Sequence, residues 1–177
     1  MLILGDSLSA AYRMPAEKSW PALLQQTLPS VDIVNASISG ETTVGGRTRL
    51  PQLLERHRPD ILILELGGND GLRGHRFAQT RDNLAAMIEM AQKAGARVLL
   101  VGVRLPPNLG PVYNRRFQRI YSDLAAQYDI AFLPRFLEGV ADVDEPGLMQ
   151  NDGIHPTERA QPLLAEKVLQ QLTALLD

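Results

Sequence analysis

Cysteine is absent from the 177-residue chain, which removes disulfides, a thiolate nucleophile and Cys-ligated metal and leaves the compartment open. No apolar run approaches the roughly 18 residues that span a bilayer, so no transmembrane helix is expected. Neither sign of charge dominates: 18 Lys and Arg against 20 Asp and Glu give a net charge of −2. That balance offers no electrostatic case for nucleic acid or for an anionic membrane. The 3 histidines stand far apart with no His-Glu-x-x-His spacing, so no metal is expected. Residues 67–71, "GGNDG", lack the Lys of a P-loop and the pattern of a dinucleotide turn, so no cofactor is expected either. Small molecules are the partners left, and nothing argues against a monomer. Apolar sequence begins at residue 1 or 2, which suits a compact native start or a mature sequence whose signal peptide is replaced by an initiator Met.

What is present is an ordinary globular composition, 45% hydrophobic and 21% charged, of a length for one domain over residues 1–177. Apolar runs of strand length recur at 1–4, 31–36, 61–66, 97–103 and 130–133. They are rich in Leu, Ile and Val with little alternation, as strands covered on both faces are. Helical periodicity lies between them. Ser19 is expected to cap a helix carrying Leu23, Leu24 and Leu28 that Pro29 closes. Residues 42–57 form another, with Pro51 implying a kink or a late start. Residues 78–94, 113–128 and 157–176 repeat the i, i+3, i+4, i+7 rule, with Gly95 stopping the first and Pro162 falling in the opening turns of the last. Strict alternation of strands and helices predicts an α/β fold: one five-stranded parallel sheet with helices on both faces. Ligands of such sheets bind beyond the carboxyl ends of the strands, where strand order reverses.

Polar residues able to do chemistry cluster there. Gly5-Asp6-Ser7 follows the first run, Ser37-Ile38-Ser39-Gly40 the second, and Gly67-Gly68-Asn69-Asp70 the third; Asn151-Asp152-Gly153-Ile154-His155-Pro156 precedes the last helix. Ser7 needs a base to become a nucleophile, and His155 is the candidate, with Asp152 three residues before it able to hold the far ring nitrogen. The oxyanion built by attack on an ester carbonyl needs donors. The backbone N–H groups of Ser7 and Gly40 and the side-chain amide of Asn69 are the candidates. Taken singly, each block also reads as a turn or a helix start. Ser7 is expected at a helix N-terminus, and Asp6 is expected to brace the turn rather than to act chemically. His57 reads as a solvated helix end, and Arg73, His75 and Arg76 as a solvated loop, with lining of the site mouth as the alternative. A nucleophile elbow of the G-x-S-x-G kind is a poor match, because position 9 is Ser.

The blocks together resemble the SGNH hydrolases, also called the GDSL family. The hallmark Ser, Gly, Asn and His fall on Ser7, Gly40, Asn69 and His155, with Asp152 as third triad member. The stretches "NASISG", "LPQLL", "ELGGNDGLRG", "RLPPN" and "DGIHP" resemble its bacterial thioesterase, lysophospholipase and arylesterase branch. The resemblance implies a flavodoxin-like three-layer α/β/α sandwich with a shallow, open site. It implies a serine esterase acting on acyl esters or thioesters of the lysophospholipid, aryl ester or acyl-CoA type, resident in the periplasm or secreted, with a cytoplasmic location as the alternative. It also suggests that residues 105–112, with apolar Leu105, Pro106, Leu109 and Val112, form a mobile loop that receives the acyl chain; a rigid proline loop is the alternative. Two other readings stay open: a carbohydrate O-deacetylase on the same fold, and a flavodoxin-like binding module without catalysis.

Overall fold

The structure, a computed structural model, describes residues 1–142 and 145–176. The domain expected over 1–177 also includes residues 143, 144 and 177, which lie outside the described residues. Among the described residues five strands run in chain order: β1 (Leu2–Gly5), β2 (Val34–Asn35), β3 (Ile61–Glu65), β4 (Arg97–Val101) and β5 (Ala131–Leu133). All pairings are parallel, in the spatial order β2-β1-β3-β4-β5. Six α-helices accompany them among the described residues: α1 (Trp20–Thr27), α2 (Thr43–His57), α3 (Gly68–Leu72), α4 (Phe77–Lys93), α5 (Pro111–Tyr128) and α6 (Gln161–Leu176). Helix α1 packs on α6, while α2 packs on α4 and α4 on α5. These are the two outer layers around a sheet whose β1 and β3 residues are buried throughout. Residues with Leu, Ile or Val on both faces have no solvated side to offer, so burial on both faces is the arrangement that removes them from water.

Several element bounds differ from expectation. The second strand is two residues rather than 31–36, because the side chain of Gln25 takes the backbone groups just before it: its amide donates to the Val31 carbonyl (2.8 Å) and its oxygen accepts from Ile33 N–H (3.0 Å). Its ladder nevertheless continues toward the carboxyl end, with Ala36 and Ile38 N–H donating to the carbonyls of Ile3 and Gly5 (2.9 and 3.0 Å). Ser19 stands at the cap position of α1 but its hydroxyl donates to the Ala16 carbonyl (2.6 Å) instead. The Trp20 N–H is met from across the layer by the Gln161 side-chain oxygen (2.9 Å). Helix α2 runs through Pro51 and starts at Thr43, where the Thr42 hydroxyl serves as cap. The short helix α3 has no counterpart in the periodicity. It is entered through Gly67 at φ 115°, a conformation side chains resist, with no room for a Cβ beneath the Tyr121 hydroxyl.

The order of strands reverses at β1, which sends one crossover to β2 and lies on its other side against β3. The loops leaving β2, β1 and β3 are therefore neighbours at one edge of the sheet.

Candidate active site

The loop after β1 makes a tight turn that many groups hold. A Cβ on Gly5 would come within 2.8–2.9 Å of Glu65, Ser9 and Ser37 side-chain oxygens, so only glycine fits there. Ser9 and Ala10 N–H donate to the Asp6 carbonyl (3.2 and 3.0 Å). This is a turn, not the helix expected at Ser7. Left-handed backbone at Ala11 (φ 55°) and Arg13 (φ 54°) prevents helical continuation. Asp6 accepts the Leu8 N–H (3.0 Å), the Trp20 indole N–H donates to the Leu8 carbonyl (3.1 Å), and the Asn35 amide donates to the Ser9 carbonyl (2.8 Å). Beneath the turn the Glu65 carboxyl accepts from the Ser9 hydroxyl (2.7 Å) and from Asp6 N–H (3.3 Å). Burial, then the charge of Asp6, pushes Glu65 well above the usual carboxylate range.

His155 reaches Ser7 from the far end of the chain. Its Nε2 lies 2.8 Å from Ser7 Oγ and its Nδ1 lies 2.8 Å from an Asp152 carboxylate oxygen. The other Asp152 oxygen accepts the N–H groups of Ile154 (2.9 Å) and His155 (3.0 Å). Desolvation raises the Asp152 pKa, but these bonds from His155 and Ile154 outweigh it and hold the carboxyl at about 2. An ionised Asp152 fixes Nδ1 as the protonated nitrogen and leaves Nε2 free to accept the Ser7 proton. The Tyr12 ring packs on the imidazole at a centroid distance of 4.2 Å. Gln150 ties the two together, its N–H donating to the His155 carbonyl (2.8 Å) and its amide to the Tyr12 carbonyl (3.1 Å).

Ser7, Gly40 and Asn69 line one cleft. Neither the Ser7 N–H nor the Gly40 N–H has an acceptor among the described residues. Gly40 sits at φ 79°, and the Arg73 guanidinium donates to its carbonyl (3.1 Å). The Asn69 amide is already engaged: Nδ2 donates to Asp6 (3.1 Å) and to the Glu41 carbonyl (3.0 Å). Burial pushes the Asp6 carboxyl up to about 6 against the hydrogen bonds from Leu8 and Asn69 that lower it. The next residue, Asp70, is buried and anchors α3 to α2 through Thr43, whose N–H (2.9 Å) and hydroxyl (2.6 Å) both donate to it.

The cleft has a volume of about 290 Å³ and apolar walls from Leu8, Leu72, Val103, Leu105, Leu137 and Ile154. Of the loop expected to receive an acyl chain, Leu105 and Pro106 line it; Leu109 and Val112 do not, and this corrects their assignment. They project from the turn Pro107–Leu109 and the first residues of α5. Asn114 ties that loop down, accepting the Leu105 N–H (3.1 Å) and donating to the carbonyls of Pro106 (3.2 Å) and Gly110 (3.3 Å). Arg73 is exposed, as expected, and also braces Gly40 through its carbonyl. Tyr12 and Glu65 were not expected at the site. Glu65 had a signal, a carboxyl ending an otherwise apolar run; Tyr12 had none.

Residues 3–162 match the GDSL-like Lipase/Acylhydrolase family. The chain is 50% identical to Esterase TesA of Pseudomonas aeruginosa, across 99% of this chain and 89% of that protein. It is 48% identical to Thioesterase 1/protease 1/lysophospholipase L1 of Escherichia coli K12, across 100% of this chain and 85% of that protein. A crystal structure of TesA superposes with a TM-score of 0.94 at 50% identity, covering 98% of each chain. With the family pattern running almost end to end and the fold matching at this level, the chain belongs to the GDSL-like lipase/acylhydrolase family and is a hydrolase of carboxylic esters.

Proposed function

We propose that Ser7 is the nucleophile, His155 the general base and acid, and Asp152 the residue that orients and charges the imidazole. The observation that carries this reading is the unbroken chain Asp152–His155–Ser7, with both links at 2.8 Å, opening on a cleft with two unengaged N–H groups. The Ser7 Oγ proton passes to His155 Nε2 as Oγ bonds to the acyl carbon. The oxyanion is received by the N–H groups of Ser7 and Gly40 and by Asn69. The C–O or C–S bond then breaks, the leaving group takes the proton from His155, and water releases the acyl group from Ser7 by the same steps in reverse roles. The apolar walls favour an acyl chain over an acetylated sugar, whose hydroxyls would find few partners there. The substrates are therefore small-molecule acyl esters or thioesters. The enzyme acts as a monomeric single domain over residues 1–177 and, by its family resemblance, in the periplasm or outside the cell.

The test is labelling with a fluorophosphonate followed by peptide mapping. The expected adduct sits on Ser7, is absent from Ser7→Ala, and forms far more slowly in His155→Ala. Undiminished ester hydrolysis by purified Ser7→Ala would overturn the assignment.

A further inference from the structure

The whole-chain charge conceals an uneven distribution around the cleft mouth. Between residues 66 and 81 the only acidic residue is Asp70, which is buried, and between 97 and 122 there is none. The same two segments carry Arg73, Arg76, Arg104, Arg115 and Arg116, all exposed. The fold brings them together on one side of the mouth. Leu72 and Arg104 line the cleft; the Tyr113 hydroxyl donates to the Gly71 carbonyl (2.9 Å), Phe77 packs on Tyr113 at 4.8 Å, and Arg116 lies over Phe77 at 5.8 Å. Arg73, Arg76, Arg115 and Arg116 form no ion pair among the described residues, and Arg104 reaches Asp142 only at 3.9 Å. Set among these guanidinium groups are three of the exposed large apolar side chains, Leu72 (39%), Leu109 (37%) and Val112 (60%).

We infer that this rim docks the cleft onto a lipid surface carrying anionic headgroups. Guanidinium is the cation that pairs with phosphate oxygens in fixed bidentate geometry. Isolated apolar tips among cations suit the boundary between headgroups and acyl chains, which takes up both. An acidic protein would satisfy the arginines but would hold Leu109 and Val112 in a polar contact. Docking here sets the apolar cleft against the source of its acyl substrates, and in this respect the inference rests on the proposed esterase reading.

The experiment uses Ser7→Ala protein, so that binding is read without turnover, sedimented with phosphatidylcholine vesicles with and without phosphatidylglycerol. The expected result is at least about tenfold tighter binding to the phosphatidylglycerol vesicles at low salt, lost at high salt, and a drop of about tenfold or more on adding Arg76→Glu and Arg115→Glu. In the Ser7-intact enzyme the same two substitutions leave hydrolysis of a short water-soluble ester unchanged. Equal binding to both vesicles, or undiminished binding by the double variant, overturns the inference; so does a protein that ignores vesicles and binds acidic protein instead. Failure of vesicle binding leaves the esterase reading standing, because soluble-ester hydrolysis is measured separately.

Discussion

Asn69→Ala tests two functions of one amide at once. Nδ2 is the donor proposed for the oxyanion, and removing one such donor costs about 3–4 kcal/mol in the transition state, or a fall in kcat of about 10²–10³ with little change in KM. The same amide partners Asp6, which is 2% exposed. Its loss strips a buried carboxyl of a hydrogen bond and costs about 1–3 kcal/mol of stability. The second effect has a pH signature. The Asp6 carboxyl titrates at about 6 in the native protein against 3.8 in its ordinary state, so stability falls as pH rises from about 4 to about 6 and the unfolded chain gives up its proton first. Removing the Asn69 bond, which lowers this pKa, raises it further. The variant's stability deficit is therefore smallest where Asp6 is protonated, near pH 4, and grows as pH rises through about 6. Steady-state kinetics on a soluble ester and urea unfolding at pH 4.5 and pH 8 read the two effects separately. A loss confined to KM would refute the oxyanion role, and a stability deficit identical at both pH values would refute the coupling to Asp6.

Two further substitutions probe the frame. Asp152→Asn should lower kcat by about 10⁴, the cost of an imidazole held in the wrong tautomer; a loss under tenfold at pH 7 would count against the triad. Because the folded Asp152 pKa is depressed to about 2, its contribution to stability is present above about pH 4 and lost as pH falls through about 2, so wild type and variant should unfold at converging urea midpoints in strong acid. Gly67→Ala places a methyl against the Tyr121 hydroxyl at a φ of 115°, and thermal unfolding should show a loss of several kcal/mol, or about 6–12 °C. An unchanged melting temperature would show that this turn into α3 is not the constraint the structure implies.

The alternation of apolar runs with helical segments made the parallel sheet legible, because strands with no polar face must be covered on both sides. The strand order then explains why blocks scattered from residue 5 to residue 155 meet: β2, β1 and β3 are adjacent. What could not be read were the side chains that displace backbone partners. Gln25 shortens β2, Gln161 substitutes for Ser19 at α1, and Arg73, though exposed, donates to the Gly40 carbonyl. The Gln25 partners lie 6 and 8 residues on, but in an irregular segment with no periodicity to mark them. A local pattern carries no trace of a contact 33 residues away, as between Arg73 and Gly40, or 141 residues away, as between Trp20 and Gln161. Leu109 and Val112 failed differently. Leu105 and Pro106 of the same loop line the cleft, but a chain of apolar letters does not say which face a proline-rich turn presents.

The carboxyl beside the proposed nucleophile is the least intuitive part of the site, since Asp6 puts acid where the proposed mechanism develops negative charge. Its contacts suggest how the two coexist. Both hydrogens of the Asn69 amide are held before substrate arrives, one by Asp6 and one by the neutral carbonyl of Glu41. A hydrogen bond to an ionised acceptor is roughly twice as strong as one to a neutral acceptor, so in the oxyanion role proposed for Asn69 the hydrogen on Glu41 is the one drawn away. Asp6 then serves as the fixed end of the amide. Because the two Nδ2 hydrogens lie in one rigid plane, holding one on Asp6 fixes the direction of the other. In the proposed role an oxyanion arriving along that direction takes the hydrogen from the Glu41 carbonyl, so that the bond strengthens as charge develops and stabilises the transition state more than the bound ester.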